Sequence, residues 1–187
     1  MVINEAKPDD AISKLGKPDE DKVDRLRIFD IDNKLITPEI KKNQYRHLTW
    51  KKLDGFKQVR MAFKDERLLY VYLWLDKEKQ FAASTLAGLY GVEFQPKTTT
   101  IGEIFSGPIG GSPLSGKKHT PYPDVYSLIG RVETNWVSAT IFNGGFKHVM
   151  LGDGDTSKET GAFPGKVGAV QIVSRTLENR TGGDVLK

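Results

Sequence analysis

Leu68-Leu69-Tyr70-Val71-Tyr72-Leu73-Trp74-Leu75 is a continuous apolar run that ends at Asp76. Its length and aromatic content suit a strand buried on both faces, which is the pattern of a parallel sheet. Residues 77–90 follow as a helix candidate. Phe81, Leu86, Leu89 and Tyr90 give it one apolar stripe, and Gly91 supplies a stop. A buried strand followed by a helix is the repeating step of an α/β fold.

Upstream, Val59, Met61 and Phe63 alternate as in a half-buried strand. Pro38 opens a short helix from Glu39 toward Leu53, with Gly55 as its end. The first strand runs from Arg25 to Asp32, and residues 1–22 read as a mobile tail with Pro8 and Pro18 among charges. Downstream, residues 106–123 form a glycine- and proline-rich loop. Residues 124–136 read as a helix with Val125, Leu128, Ile129 and Val132 on one face. Val149 to Leu151 and Val167 to Val173 are further strands. The alternation predicts an α/β three-layer sandwich with a mostly parallel, Rossmann-like sheet. One domain spans 23–176, with a small basic insertion at about 33–66 after the first strand and a polar tail over 177–187.

The 187 residues suffice for one domain with a sizeable core. No apolar run approaches the roughly 18 residues of a membrane span. The first 22 residues lack the pattern of a signal peptide, so a cytoplasmic location is expected. Cysteine is absent, which excludes disulfides, thiolate metal sites and cysteine nucleophiles. His47, His119 and His148 are scattered, against a multi-histidine metal centre. The net charge of +4 is unevenly placed. Residues 41–67 hold nine bases and three acids, more than the whole chain's excess. Such a patch suits phosphate, nucleic acid or a membrane surface.

Asp30 and Asp32 stand at i and i+2 at a strand end, so both side chains point the same way. Paired carboxylates suit Mg²⁺ and acid/base or nucleophilic work; the alternative is a solvated acidic turn. Asp76 and the Asp153/Asp155 pair end other expected strands. Ligands of open parallel sheets sit at that edge, so a cation site is expected there.

Ile28-Phe29-Asp30-Ile31-Asp32-Asn33-Lys34-Leu35-Ile36 is similar to the opening motif of the haloacid dehalogenase (HAD-like) superfamily of phosphohydrolases. Val149-Met150-Leu151-Gly152-Asp153-Gly154-Asp155 resembles its closing acidic motif, and Lys117-Lys118-His119-Thr120-Pro121 resembles the start of the helix bearing its lysine. The resemblance covers residues 25–175. It implies Asp30 as nucleophile, Asp32 as acid/base, Lys118 or Lys117 as the charge-neutralising cation, and Mg²⁺ held by Asp30, Asp32, Asp153 and Asp155. Lys34 replaces the usual Thr or Val, and Leu75-Asp76 stands where a phosphate-binding Ser or Thr belongs.

Gly111 to Lys117 has the spacing of a phosphate loop, but Lys118 replaces its Ser/Thr, and Pro121 and Pro123 forbid the helix that should follow. Asp153 to Ser157 begins like a calcium loop, but Lys158 stands where Gly is required. The functional expectation is a Mg²⁺-dependent phosphatase acting on a phosphorylated small molecule, a lipid or a nucleic-acid end. Lys51, Lys52, Lys117 and His119 would contact the substrate. The alternative is a catalytically degenerate binding or structural protein, with nucleic acid a candidate partner of residues 41–67, where Tyr45, Trp50 and Phe56 interleave with the bases.

Overall fold

A computed structural model describes residues 1–28, 42–96, 125–142, 163 and 165–177. Among them are nine strands: β1 (Glu20–Arg25), β2 (Gln44–Leu53), β3 (Phe56–Lys64), β4 (Arg67–Leu75), β5 (Phe81–Ala82), β6 (Gln95–Pro96), β7 (Val125–Val132), β8 (Asn135–Phe142) and β9 (Lys166–Ser174). They form one sheet in the order β1-β2-β3-β4-β9-β8-β7-β6, and every pairing is antiparallel. Two four-stranded runs of neighbours therefore meet at the β4–β9 seam. β5 continues the line of β4 along β9: β4 pairs with Ala169 to Val173, and β5 with Lys166 and Val167.

Short turns set this topology. Asp54-Gly55 joins β2 to β3, with Gly55 at φ 80° in the left-handed region that a tight hairpin requires. One register then runs unbroken from Leu53 opposite Phe56 to Arg46 opposite Phe63. Asp65-Glu66 joins β3 to β4, both at positive φ (50° and 59°), as a two-residue hairpin turn demands. The register slips between Ala62 and Phe63, where Leu69 is the extra residue on β4. The bulge leaves both Leu69 and Tyr70 in the same buried cluster.

The two faces of the sheet differ. Leu48, Trp50, Val59, Met61 and Val71 point to one side and are buried. Helix α1 (Pro8–Leu15) covers that side. Pro8 takes its first position, where no backbone N–H is needed, and the Lys7 N–H donates to Asp10 Oδ2 at 2.8 Å. Ala11 of α1 is fully buried, and the Trp50 indole N–H donates to the Gly16 carbonyl at 2.9 Å. Asn4 N–H to Leu68 O and Leu68 N–H to Ala6 O (2.8 and 2.9 Å) sew the N-terminal segment to the start of β4. Across the seam the apolar side continues through Val170, Val137, Ala139, Leu128 and Ile141. There it is covered by Ala83, by Leu86 of α2 (Leu86–Tyr90) and by Phe94.

This sheet overturns the parallel, Rossmann-like three-layer sandwich and, with it, the likeness to the haloacid dehalogenase superfamily. That architecture needs a crossover between each pair of parallel strands, whereas here every pairing is antiparallel, and β2–β3, β3–β4 and β7–β8 are joined by two-residue hairpins. The 68–75 run is a central strand, but its neighbours are antiparallel. Leu68 to Val71 are buried, whichever face they point to, while Trp74 near the other end is 42% exposed. Residues 125–132, expected to be helical, form β7. Of the helix expected over 77–90, only Leu86–Tyr90 is α-helical, stopped by Gly91 at φ 67° as anticipated. The expected insertion at 33–66 contains β2 and β3, which lie within the sheet. The expected tail over residues 1–22 contains α1 and the beginning of β1. No helix among the described residues is long and apolar enough to cross a membrane.

Candidate functional site

The second face of the sheet carries the chemistry. Side chains alternate along a strand, so the residues between the apolar ones point together to the other side. One ladder row there runs Lys22, His47, Ala62, Tyr70, Val173, Trp136 across β1, β2, β3, β4, β9 and β8. The next runs Glu20, Thr49, Arg60, Tyr72, Gln171, Ser138. His47, Thr49, Gln171 and Ser138 are each at most 5% exposed. Burying this much polarity is costly unless it is paired. Tyr70 OH donates to Gln171 Oε1 at 3.0 Å across the seam. The Thr49 and Ser138 hydroxyls are buried with no hydrogen-bond partner among the described residues.

At the β1 end this face holds a cavity of about 320 Å³. After β1 the chain turns over the sheet, and Leu26 inserts against Tyr45, Tyr70 and Trp136. That insertion makes one wall from residues 24–27; His47, Arg60 and Tyr70 make the floor, and Lys22 lies beside it. Among the described residues of the lining, Lys22, Arg25, Arg27 and Arg60 face one carboxylate, that of Asp24. Among the described residues, none of the three arginines has a carboxylate within ion-pair distance. Lys22 shares Glu20 with Lys51, at 3.7 and 2.6 Å. Two other cavities of comparable size lack this excess: one has Glu93 against Arg131, and the other has Glu5 and Asp10 against Lys14.

Local bonds fix the titrating groups. The Arg25 N–H donates to Asp24 Oδ1 at 2.7 Å, which holds that carboxyl below its usual range, with help from Lys22, His47 and Arg27. Asp24 thus stays ionised and offers no proton. Burial pushes His47 below the ordinary imidazole value; Arg60 and Lys22 add to the fall, and the Asp24 carbonyl and charge oppose it. His47 Nε2 lies 3.3 Å from the Asp24 carbonyl oxygen. A carbonyl only accepts, so Nε2 carries the hydrogen and Nδ1 is the basic nitrogen.

The residues expected from the sequence distribute differently. Asp30, Asp32, Lys117, Lys118, His119, Asp153 and Asp155, which include the expected Mg²⁺ ligands, lie outside the described residues. Among the described residues, no group of three or more His, Asp or Glu stands together as a metal site. Lys51 is engaged: its ammonium meets Glu20, and its backbone N–H donates to Asp19 Oδ2 at 2.6 Å. Lys52 is exposed at positive φ (60°) beside the β2–β3 turn. Neither lines the cavity. Asp76 opens a short 3-10 turn, its N–H donating to the Gly55 carbonyl at 3.1 Å. The cavity residues Lys22, Arg25, Arg27, His47 and Arg60 were not anticipated as a set. Carrying the register back from Asp54-Gly55 would have placed Arg60 beside Thr49, one row from His47.

No family model matches the chain, and no curated protein matches it. Among solved structures it is similar to a DUF4309 family protein, YjgB, from Bacillus subtilis subsp. subtilis str. 168, with a TM-score of 0.41 and 12% identity over 92% of this chain and 81% of that one. A likeness at that level carries no argument about fold or function.

Proposed function

We propose that this protein is a binding module that takes an oxyanionic ligand in the cavity between β1 and the polar face of the sheet. The observation that supports it is the charge imbalance of the lining: among the described residues, four cationic side chains and one carboxylate surround about 320 Å³. Guanidinium groups stay protonated and present forked donors matched to phosphate, sulfate and carboxylate oxygens. Their partly enclosed setting weakens competition from water relative to an open surface. A rigid floor reduces the ordering cost of binding, because Arg60 and His47 stand on paired central strands.

Two of the aromatics interleaved with the bases of residues 41–67 have other work. Tyr45 and Trp50 are buried on opposite faces of β2. Stacking bases would require exposed rings, so the binding reading rests on the cavity and not on the 41–67 surface. The aspartyl-phosphate mechanism drew its residue roles from a resemblance that the antiparallel sheet has removed.

Calorimetric titration with inorganic sulfate, inorganic phosphate and citrate at fixed ionic strength tests the proposal. Saturable binding is expected, and Arg60→Gln should weaken it by at least about tenfold, equivalent to about 1.4 kcal/mol. Equal binding by wild type and Arg60→Gln, or no saturation with any of the three, would overturn it.

A further inference from the structure

We propose that oxyanion uptake in this cavity is coupled to uptake of a proton at Nδ1 of His47, so that the site fills preferentially at mildly acidic pH. This inference rests on the anion-binding reading above.

His47 is 5% exposed and stands on the cavity floor. Its Nε2–H is committed to the Asp24 carbonyl whichever charge state the ring adopts, so only Nδ1 gains or loses a proton. The charged and titratable groups around the ring come from every neighbouring element. Lys22 lies directly opposite on β1, and Asp24, Arg25 and Arg27 belong to β1 and the segment after it. Arg60 comes from β3, Tyr70 from β4, and Tyr45 is the neighbour two residues away on the same face of β2.

Burial, and then Arg60 and Lys22, lower the imidazole below its ordinary value, which disfavours the imidazolium. Seating an oxyanion between Arg60 and the Lys22–Arg27 wall places negative charge beside the imidazole. An opposite charge within about 4–6 Å favours a charged group by about one to three pK units. The imidazolium then becomes permissible, and it adds attraction for the anion in return. Binding linkage is reciprocal: if the anion raises the affinity of His47 for a proton, the proton raises the affinity for the anion by the same factor. The charge excess alone would bind an anion without this coupling. The buried imidazole on the floor adds the pH response.

Inorganic sulfate is the probe, because it keeps two charges over the whole range tested. Calorimetry of wild type in two non-phosphate buffers of different ionisation enthalpy counts the protons taken up. Uptake approaching one proton per sulfate is expected near about pH 7, with affinity weakening by up to about tenfold per pH unit as pH rises. His47→Gln should lose both the uptake and the pH slope. The chain has three histidines, so the His47 ring is readily followed by imidazole NMR in the wild type, where sulfate should raise its titration midpoint. That measurement decides the matter if His47→Gln does not fold. Sulfate binding without proton uptake, uptake that persists in His47→Gln, or an unmoved His47 midpoint would overturn the coupling and leave the binding reading standing. No sulfate saturation at any pH would overturn the coupling, and if phosphate and citrate also fail to saturate, the binding reading itself falls.

Discussion

Trp50 and Thr49 are neighbours in sequence and opposites in environment. Trp50 points to the side covered by α1, fills space among Val59, Met61 and Leu48, and satisfies its one polar atom on Gly16. Thr49 points to the side of His47 and Arg60, where its buried hydroxyl has no partner among the described residues. The same contrast repeats across the sheet: Val59 against Arg60, and Ile172 against Gln171. One face is built for cohesion. The other retains polar groups that a purely structural sheet would have replaced with aliphatic ones, and this is the physical reason for placing function there. Polar groups left buried lower stability, so their retention beside a cationic cavity fits a face shaped around a ligand.

Substitutions on the two faces can break that contrast. Trp50→Ala should cost the most, about 3–5 kcal/mol by chemical denaturation, because it leaves a large cavity beneath α1. A loss below about 1 kcal/mol would mean that α1 does not seal this face. Gly130→Ala comes next. An added Cβ would sit 3.1 Å from the Phe94 ring, and that ring is itself buried and cannot swing into solvent. A cost of about 1–3 kcal/mol is expected. Thr49→Val should move the other way, stabilising by up to about 1 kcal/mol, since it keeps the shape and removes an unpaired hydroxyl. A loss of stability there would show that the hydroxyl has a partner and that the polar face is internally satisfied.

The smallest effect at neutral pH belongs to His47. Its folded-state value is depressed, so below about 6.5 the unfolded chain takes up protons that the folded one refuses. The contribution is therefore fully present above about pH 6.5 and lost as pH falls through the region beneath it. Thermal melts across that range should show a declining melting temperature in wild type and a flatter profile in His47→Gln. The lowered carboxyls of Glu20, Asp21 and Asp24 act only further down, their stabilisation being lost as pH falls from the ordinary carboxylate range to below it.

β3, β4 and β9 were legible as strands, but β2 lies where a helix toward Leu53 was expected and β7 where a helix over 124–136 was, and strand direction was not legible at all. The Leu68–Leu75 run marks a strand buried on both faces over Leu68 to Val71, and Val167–Val173 marks another. Continuous apolarity reports burial on two faces and says nothing about the neighbour's direction. The direction was written in the turns, at Asp54-Gly55 and Asp65-Glu66, where two residues between strands allow only a hairpin. Reading Gly55 as a helix stop concealed it. Val125, Leu128, Ile129 and Val132 fit a helical stripe by chance: in β7 they are split between the two faces, and Val125 is 52% exposed. The cationic site was harder to see. It joins residues from β1, the segment after it, β2, β3 and β4, and only the register brings Lys22, His47 and Arg60 together.

The seam between β4 and β9 has a kinetic consequence. Strands β1 to β4 pair as successive neighbours, and so do β7 to β9. The buried Tyr70–Gln171 hydrogen bond at the seam joins residues 101 positions apart. Closing so long a loop is entropically costly, but each doubling of its length adds only about 0.6 kcal/mol. The β2–β4 hairpins should therefore form early and the seam late, making docking at Tyr70 and Gln171 the slow step of folding. The cavity floor at Arg60 and His47 would take shape before the sheet is complete.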